Sequence, residues 1–231
     1  MTKSKFFIAA ALMVSALSAN AGMLTLNGFE HSGAPSGTMF VGSAAVSAGV
    51  GGIKADFDAG FDSRSGFIAY CVELFTRSGA FGSAHPYNAS VLTDGSLSKL
   101  FSYSNSLNTN SPADPGVNLD ATKSAGLQLA VWELLYDGTP GNVTSGQFQA
   151  MGVGAGATNW ANSLLAGFGS ANGSNYVVTK YSDIDYTNKG YQDFIGVTRT
   201  SGFDNQVPEP GALALVGLAL AGLAMTRRKT A

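Results

Sequence analysis

Apolar and polar residues alternate in short runs along the first third of the chain, and glycine, serine and asparagine separate the runs. Alternation that is interrupted by such turn-forming residues predicts β-strands joined by turns. The runs cover residues 23–26, 38–41, 44–47, 53–57 and 67–75. In the last run, the alternation places Tyr70 on one face of a strand and Cys71 with Glu73 on the opposite face.

The middle of the chain changes to helical spacing. Residues 97–103 carry apolar side chains three and four positions apart, which predicts a short helix. A longer helix is predicted over residues 121–136, because Asp120 can cap its start and Asp137 with Gly138 can end it. The apolar stripe of this longer helix is predicted to consist of Leu127, Val131, Leu134 and Leu135.

Weaker helical patterns follow at residues 145–151 and 159–168, and strand patterns return at 176–181 and 193–197. The order of these elements predicts a mainly β protein of the α+β class. We expect a β-barrel or sandwich that carries a small helical subdomain at about residues 96–168.

The N-terminus has the three parts of a secretory signal peptide. Basic residues at the start precede an apolar run over residues 6–17, and Ala19 with Ala21 forms an Ala-x-Ala exit. The apolar run is too short to cross a bilayer as a stable helix, which takes about 20 residues. We therefore expect signal peptidase to remove residues 1–21 by cleavage after Ala21. Residues 22–205 would then form the mature domain.

The C-terminus combines a proline motif, an apolar segment and a basic end. The prolines keep the motif extended, and it consists of Val207, Pro208, Glu209 and Pro210. The apolar segment over residues 211–225 is predicted to be a transmembrane helix. The basic end at residues 227–229 includes Arg227 and Arg228, and such charges stay on the cytoplasmic side of a membrane.

This arrangement, at residues 206–231, resembles the PEP-CTERM sorting signal of Gram-negative bacteria. The resemblance implies processing by an exosortase and a precursor that its C-terminal helix tethers to the inner membrane. It also implies a final location at the cell surface or in an exopolysaccharide matrix of a biofilm. A sorting signal gives the destination of a protein and not its activity.

Charge and cysteine content narrow the function of the domain. The chain has 13 basic and 15 acidic residues, without a basic patch or run that would indicate nucleic-acid binding. Cys71 is the single cysteine, so an internal disulfide is excluded in a protein that is expected to be exported.

Cys71 and Gln128 lie in two short motifs that occur together in a known family. Residues 70–72 form an aromatic-Cys-apolar tripeptide on the predicted strand, and apolar residues follow Gln128 up to Trp132 on the predicted helix. This pairing resembles the bacterial thioester domain of surface adhesins, over about residues 60–200. One departure is Leu127, where that family often has threonine. The resemblance implies an internal thioester between Cys71 and Gln128 and a role in adhesion or matrix attachment.

The chemistry of such a pair follows from its two groups. A thiolate attacks the glutamine side-chain carbonyl, expels ammonia and leaves an activated acyl group. A surface amine or hydroxyl, or an exopolysaccharide, can then displace the sulfur once. We therefore expect no enzymatic turnover and no cofactor. Glu73, Glu133 and His85 are candidate proton carriers, although a histidine before a proline is typical of a loop.

Other interpretations of these residues stay open. Cys71 can be a small buried side chain or form an intermolecular disulfide, and Gln128 can be a solvated helix residue. The protein would then be a non-reactive structural or carbohydrate-binding matrix protein. A secreted hydrolase built on Cys71 and His85 is a further alternative, although nothing in the sequence fixes that geometry.

Metal-ligating residues are sparse. The histidines are His31 and His85, so a zinc site is not expected. Asp56, Asp58 and Asp62 lie close together and resemble a loose calcium loop, but their spacing does not follow the EF-hand order of ligands. Alternating acids at the edge of a strand explain them more simply.

Overall fold

A closed barrel and a separate three-stranded sheet contain the strands of this protein. The structure is a computed structural model, and it describes residues 20–59, 63–108, 119–138, 141–184 and 190–200. The strands are β1 (Asn20–Phe29), β2 (Ser36–Val41), β3 (Ala44–Gly49), β4 (Ile53–Asp58), β5 (Arg64–Cys71), β6 (Ala84–Val91), β7 (Phe148–Met151), β8 (Tyr176–Asp183) and β9 (Phe194–Arg199). The mainly β class and the barrel are thus confirmed.

The barrel runs in the order β1-β4-β5-β9-β8-β6, with antiparallel neighbours throughout. Alternate residues of its strands are buried, as in β4, where Ile53, Ala55 and Phe57 are buried. Tyr181 of β8 lies against the rings of Phe57 and Phe67, with centroid distances of 4.9 and 5.2 Å. Aromatic contacts of this kind between strands stabilise the barrel.

The three-stranded sheet has the order β3-β2-β7 and corrects one prediction. Residues 145–151 were expected to be helical, but β7 occupies most of them and pairs with β2. Phe148 and Ala150 are buried, while Met151 is exposed. This period of two indicates a strand, and the pattern is short enough to be mistaken for a helical turn.

Three α-helices lie in the described part of the chain: α1 (Gly95–Leu107), α2 (Ala121–Tyr136) and α3 (Ala155–Gly167). Asp120 caps α2 as predicted, because its Oδ1 accepts a hydrogen bond of 2.8 Å from the backbone N–H of Lys123. The predicted stripe is wrong at Leu135, which is 39% exposed, whereas Leu134 is half-buried and packs against the core. Residues 124–133 are buried on all sides of the helix, which packs against α3 and against the strands.

The strand that carries the cysteine ends earlier than predicted. The sequence pattern continued to residue 75, but β5 ends at Cys71. Residues 68–71 are all buried, so both faces of this strand end are covered and the predicted alternation is not seen in burial. Beyond it, the N–H of Val72 donates to the carbonyl of Asp193, and the N–H of Leu74 donates to Tyr136 Oη.

Both predicted targeting segments fall largely outside the described residues. Residues 1–19 and 201–231 are not described, and β1 begins at Asn20, so the predicted cleavage after Ala21 lies within β1. Gly22, the first residue after this cleavage point, pairs with Tyr87 of β6 in the ladder between β1 and β6. No helix in the described part of the chain is long and apolar enough to span a membrane. The predicted transmembrane segment at 211–225 lies outside that part.

The close approach of α2 and α3 gives a test of this packing. A Cβ atom at Gly126 would lie 2.7 Å from the carbonyl oxygen of Ala157, which a side chain cannot occupy without a shift of backbone. We expect Gly126→Ala to lower the free energy of unfolding in urea by about 1–3 kcal/mol. The control is Gly95→Ala in α1, where nothing lies within 4 Å, and it should be neutral or stabilising. Equal stability of the two variants would contradict the packing.

Candidate functional site

Cys71 and Gln128 are in direct contact. The backbone N–H of Cys71 donates to Gln128 Oε1 at 2.8 Å, and Gln128 Nε2 donates to the Cys71 carbonyl at 2.9 Å. The carboxamide therefore bonds to both the N–H and the C=O of the last residue of β5, as the backbone of a neighbouring strand would. Two hydrogen bonds fix its plane and its distance from the cysteine backbone.

The fold forces this contact, because Gln128 lies in the buried middle of α2. Its side chain is 0% exposed, and a buried primary amide has to find partners for both its donor and its acceptor. The partners it finds are the N–H and C=O of Cys71. The interpretation of Gln128 as a solvated helix residue is therefore wrong.

The sulfur of Cys71 has a contact that the sequence did not predict. Gln192 Nε2 donates to Cys71 Sγ at 3.2 Å, and both side chains are buried, with exposures of 7% and 8%. Burial raises the pKa of the Cys71 thiol to about 12, and the bond from Gln192 opposes this rise. The thiol is consequently neutral near pH 7. No motif marks Gln192, which lies just before β9, and the pairing of β9 with β5 brings this segment to the cysteine.

A cavity of about 450 Å³ adjoins Cys71. Trp132 and Gln192 line it, together with the rings of Phe29, Phe75 and Phe81, of which the last two are half-exposed. Trp132 is only 2% exposed, and its indole N–H has no hydrogen-bond partner among the described residues. The cysteine, the aromatic rim and Trp132 therefore line the same cavity, and the indole N–H of Trp132 is a buried donor without a partner among the described residues.

The two candidate glutamates lie in different places. Glu73 lines the cavity, and its Oε2 accepts a hydrogen bond of 2.9 Å from the N–H of Asp193. Glu133 is fully buried on α2, does not line the cavity, and accepts from the N–H of Gly141 at 3.2 Å. Burial, followed by the charge of Asp137, raises the pKa of Glu133 to about 7. Of the two glutamates, Glu73 is the one that shares a cavity with Cys71.

His85 does not form a pair with Cys71. Its ring packs against Tyr191 with a centroid distance of 4.3 Å, and no hydrogen bond links it to the cysteine in the described ranges. His85 lies in β6 and not in a loop as predicted. The Cys71–His85 pair that the hydrolase alternative requires is therefore not seen among the described residues.

The candidate calcium residues serve as hydrogen-bond acceptors between strands. Asp56 accepts from Asn27 Nδ2 at 2.6 Å and from the N–H of Gly66 at 2.7 Å, and Asp58 accepts from Ser63 Oγ at 2.7 Å. Asp62 lies outside the described residues. Among the residues that are described, no group of three or more His, Cys, Asp or Glu is arranged to hold a metal ion.

Comparison with known proteins identifies the C-terminal segment. A family model described as the PEP-CTERM protein-sorting motif matches residues 206–229. The chain carries this sorting motif. The match contains all the predicted motif residues, from Val207 to Arg228, and it confirms that resemblance. A PEP-CTERM motif implies an exported surface protein that an exosortase processes. These residues lie outside the described part of the structure.

The body of the chain is similar to one solved structure, the N-terminal thioester domain of a surface protein from Clostridium perfringens. The sequence identity is 11% and the TM-score is 0.45, over 76% of this chain and 97% of that one. No curated protein matches the chain.

The raised pKa of Glu133 predicts a pH-dependent stability. An acid with a folded-state pKa of about 7 and an ordinary value of 4.5 favours folding below pH 4.5, and this contribution is lost as the pH rises to about 7. We expect Glu133→Gln, which keeps the acceptor for Gly141, to raise stability at about pH 8 by about 1–3 kcal/mol. Urea unfolding at several pH values measures this difference. A variant with the same pH dependence as the natural protein would contradict the assignment.

Proposed function

We propose that Cys71 and Gln128 form an internal thioester, with which the exported protein attaches itself covalently and once to a partner. The observation that carries the proposal is the pairing of the Gln128 carboxamide with the Cys71 backbone inside a buried site. The PEP-CTERM motif supports a role at the cell surface or in an extracellular matrix, where a permanent attachment is useful. Adhesion or matrix attachment is therefore the proposed biological role.

Formation of the thioester needs no cofactor. Cys71 Sγ attacks Cδ of Gln128, the carbonyl electrons move onto Oε1, and the Cys71 N–H already donates to this oxygen at 2.8 Å. A backbone donor in this position stabilises the negative oxygen of a tetrahedral intermediate. The carbonyl then re-forms, and Nε2 leaves as ammonia with the proton that the thiol has lost.

In the attachment step the sulfur of Cys71 is the leaving group, whereas ammonia is the leaving group when the thioester forms. The amine or hydroxyl of a partner enters through the cavity and attacks Cδ, and the bond between Cδ and Sγ breaks with its electron pair on sulfur. The proton of the partner passes to the sulfur, with the Glu73 carboxylate as a carrier at the cavity wall. The products are an amide or ester at Gln128 and a free thiol at Cys71, so the protein reacts a single time.

Burial of the sulfur explains how a thioester can survive until it meets a partner. A thiol with a pKa of about 12 gives a poor leaving group, since thiolates of lower pKa leave faster. The same property makes resistance of Cys71 to thiol reagents uninformative, because a buried neutral thiol reacts slowly even without a thioester. The intact mass of the protein distinguishes a thioester from a buried free thiol.

A second candidate function is non-covalent binding of a matrix polymer. The observation in its favour is the aromatic rim of the cavity, with the half-exposed rings of Phe75 and Phe81. Aromatic surfaces of this kind contribute large contact areas to binding sites. This function requires no bond between Cys71 and Gln128.

Intact mass tests the thioester. We expect the purified full chain to be lighter than calculated by one ammonia, about 17 Da, and Cys71→Ala to have its calculated mass. Methylamine should then add to the natural protein at Gln128, located by peptide mapping, and expose one thiol. Gln128→Met should show neither the mass loss nor the methylamine adduct. A natural protein of calculated mass would remove the covalent function and leave non-covalent binding.

The sorting motif predicts a change of location. Replacement of Glu209 by alanine should leave the precursor in the membrane fraction with its C-terminal tail, because the motif that the exosortase reads is altered. Cell fractionation and the mass of the retained protein measure this. Asp204→Ala, just upstream of the matched residues, is the control and should be processed normally. Normal processing of both variants would argue against the motif as the signal.

A further inference from the structure

We infer that Gln192 is a further catalytic residue of the attachment reaction, which holds the Cys71 sulfur and stabilises it as a thiolate when a partner displaces it. The inference rests on the proposed thioester. It assigns a role to a residue that no sequence motif marks. The chemical class of the reaction stays the same: transfer of the Gln128 acyl group from sulfur to nitrogen or oxygen.

The first observation is the contact itself. The Gln192 side-chain amide donates to Cys71 Sγ at 3.2 Å, within the distance of a hydrogen bond to sulfur, and Gln192 is 7% exposed. Both its backbone N–H and its backbone C=O are hydrogen-bonded. The N–H of Gln192 donates to the carbonyl of Arg77 at 3.0 Å, and its carbonyl accepts from Tyr87 Oη at 3.0 Å. The amide is therefore held at the sulfur by the surrounding fold.

Asp193, the next residue, bonds the segment that contains Gln192 to the residues that follow Cys71. The N–H of Asp193 donates to Glu73 Oε2 at 2.9 Å, and its carbonyl accepts from the N–H of Val72 at 3.0 Å. Its carboxylate forms an ion pair of 2.7 Å with Lys180 of β8. Residues 71–73 and 192–193 thus form one rigid unit, which preorganises the donor before any partner arrives.

Gln128 and Gln192 contact the same cysteine in different ways. Gln128 uses both atoms of its carboxamide on the Cys71 backbone, whereas Gln192 contacts the sulfur. In the thioester, the breaking bond would have one donor at each end: the Cys71 N–H at the acyl oxygen and Gln192 Nε2 at the sulfur. Hydrogen bonds to charged atoms are about twice as strong as those to neutral atoms, so both donors favour the transition state over the resting thioester.

The cavity shows how a partner can reach this arrangement. Gln192 and Trp132 line it beside Cys71, and the buried indole N–H lacks a partner among the described residues. The cysteine is therefore part of a site with access, and not an isolated buried side chain.

The balance of the reaction shows why the sulfur needs a donor. When the partner attacks, the bond between Cδ and Sγ breaks and its electron pair goes to sulfur, in a place where burial disfavours a thiolate. Gln192 holds this charge until the proton of the attacking group arrives through Glu73. No oxidant, reductant or further reactant takes part.

The test uses the full chain and two variants of Gln192. Gln192→Met keeps the length of the side chain and removes the donor. Gln192→Glu keeps the shape and places a carboxylate at the sulfur. The control is Gln147→Met, which changes an exposed glutamine in the same way. The loss of one ammonia is first measured for each protein, and then the rate of methylamine incorporation is followed by mass as a function of pH.

We expect all four proteins to lose ammonia, and Gln192→Met to react with methylamine about 10- to 100-fold more slowly than the natural protein and the control. Gln192→Glu should be slow where its carboxylate is charged and should recover as the pH falls and the carboxyl becomes a donor. A structural role alone would not produce this new inflection in the pH profile.

Two results would overturn the inference while the thioester stands. One is an unchanged rate in Gln192→Met, and the other is a methylamine label at residue 192, which would make Gln192 the acyl donor. Absence of ammonia loss in the natural protein would remove the thioester and this role with it, and it is seen before any variant is compared.

Discussion

The hydrogen-bonding demand of one buried amide determines how the helices meet the barrel. Gln128 is 0% exposed in the middle of α2, and an unsatisfied amide there would cost about 1–3 kcal/mol. The backbone of Cys71 meets this demand because β4 pairs with β5 only as far as Ala69, and the N–H and C=O of Cys71 bond to the amide instead. This contact joins the middle of α2 to the end of β5. The reactive geometry that we propose is a consequence of this same contact.

Closure of the barrel supplies the other half of the site. β5 pairs with β9 over a short ladder that ends with Cys71 opposite Phe194. This pairing brings Gln192 to the sulfur across 121 positions of sequence and places Asp193 between Val72 and Glu73. Gln192 itself lies just before the start of β9, and the hydrogen bonds of its backbone to Arg77 and Tyr87 hold it in place. The barrel therefore acts as the frame that holds two distant segments against α2.

The sequence predicted the features that depend on local chemistry. The cap at Asp120 and the helix end at Gly138 were predicted from local patterns, whereas Cys71 and Gln128 were paired only through a family resemblance. It failed where long-range pairing decides the outcome. Phe148 starts a strand because β2 lies beside it, and Gln192 contacts sulfur because the barrel closes. Neither neighbour is visible from a local pattern, since period and propensity carry no information about distant partners.

A protein that attaches once must keep its reactive bond intact and still release it on contact. In the thioester that we propose, burial would meet the first requirement by making the sulfur a poor leaving group. The second requirement calls for stabilisation that appears only when charge develops, and fixed neutral donors have this property. The Cys71 N–H and the Gln192 amide that we assign to this role are neutral, so they would add little to the proposed resting thioester and more to its transition state. A permanent positive charge at the sulfur would instead lower the thiol pKa at all times and shorten the life of the bond.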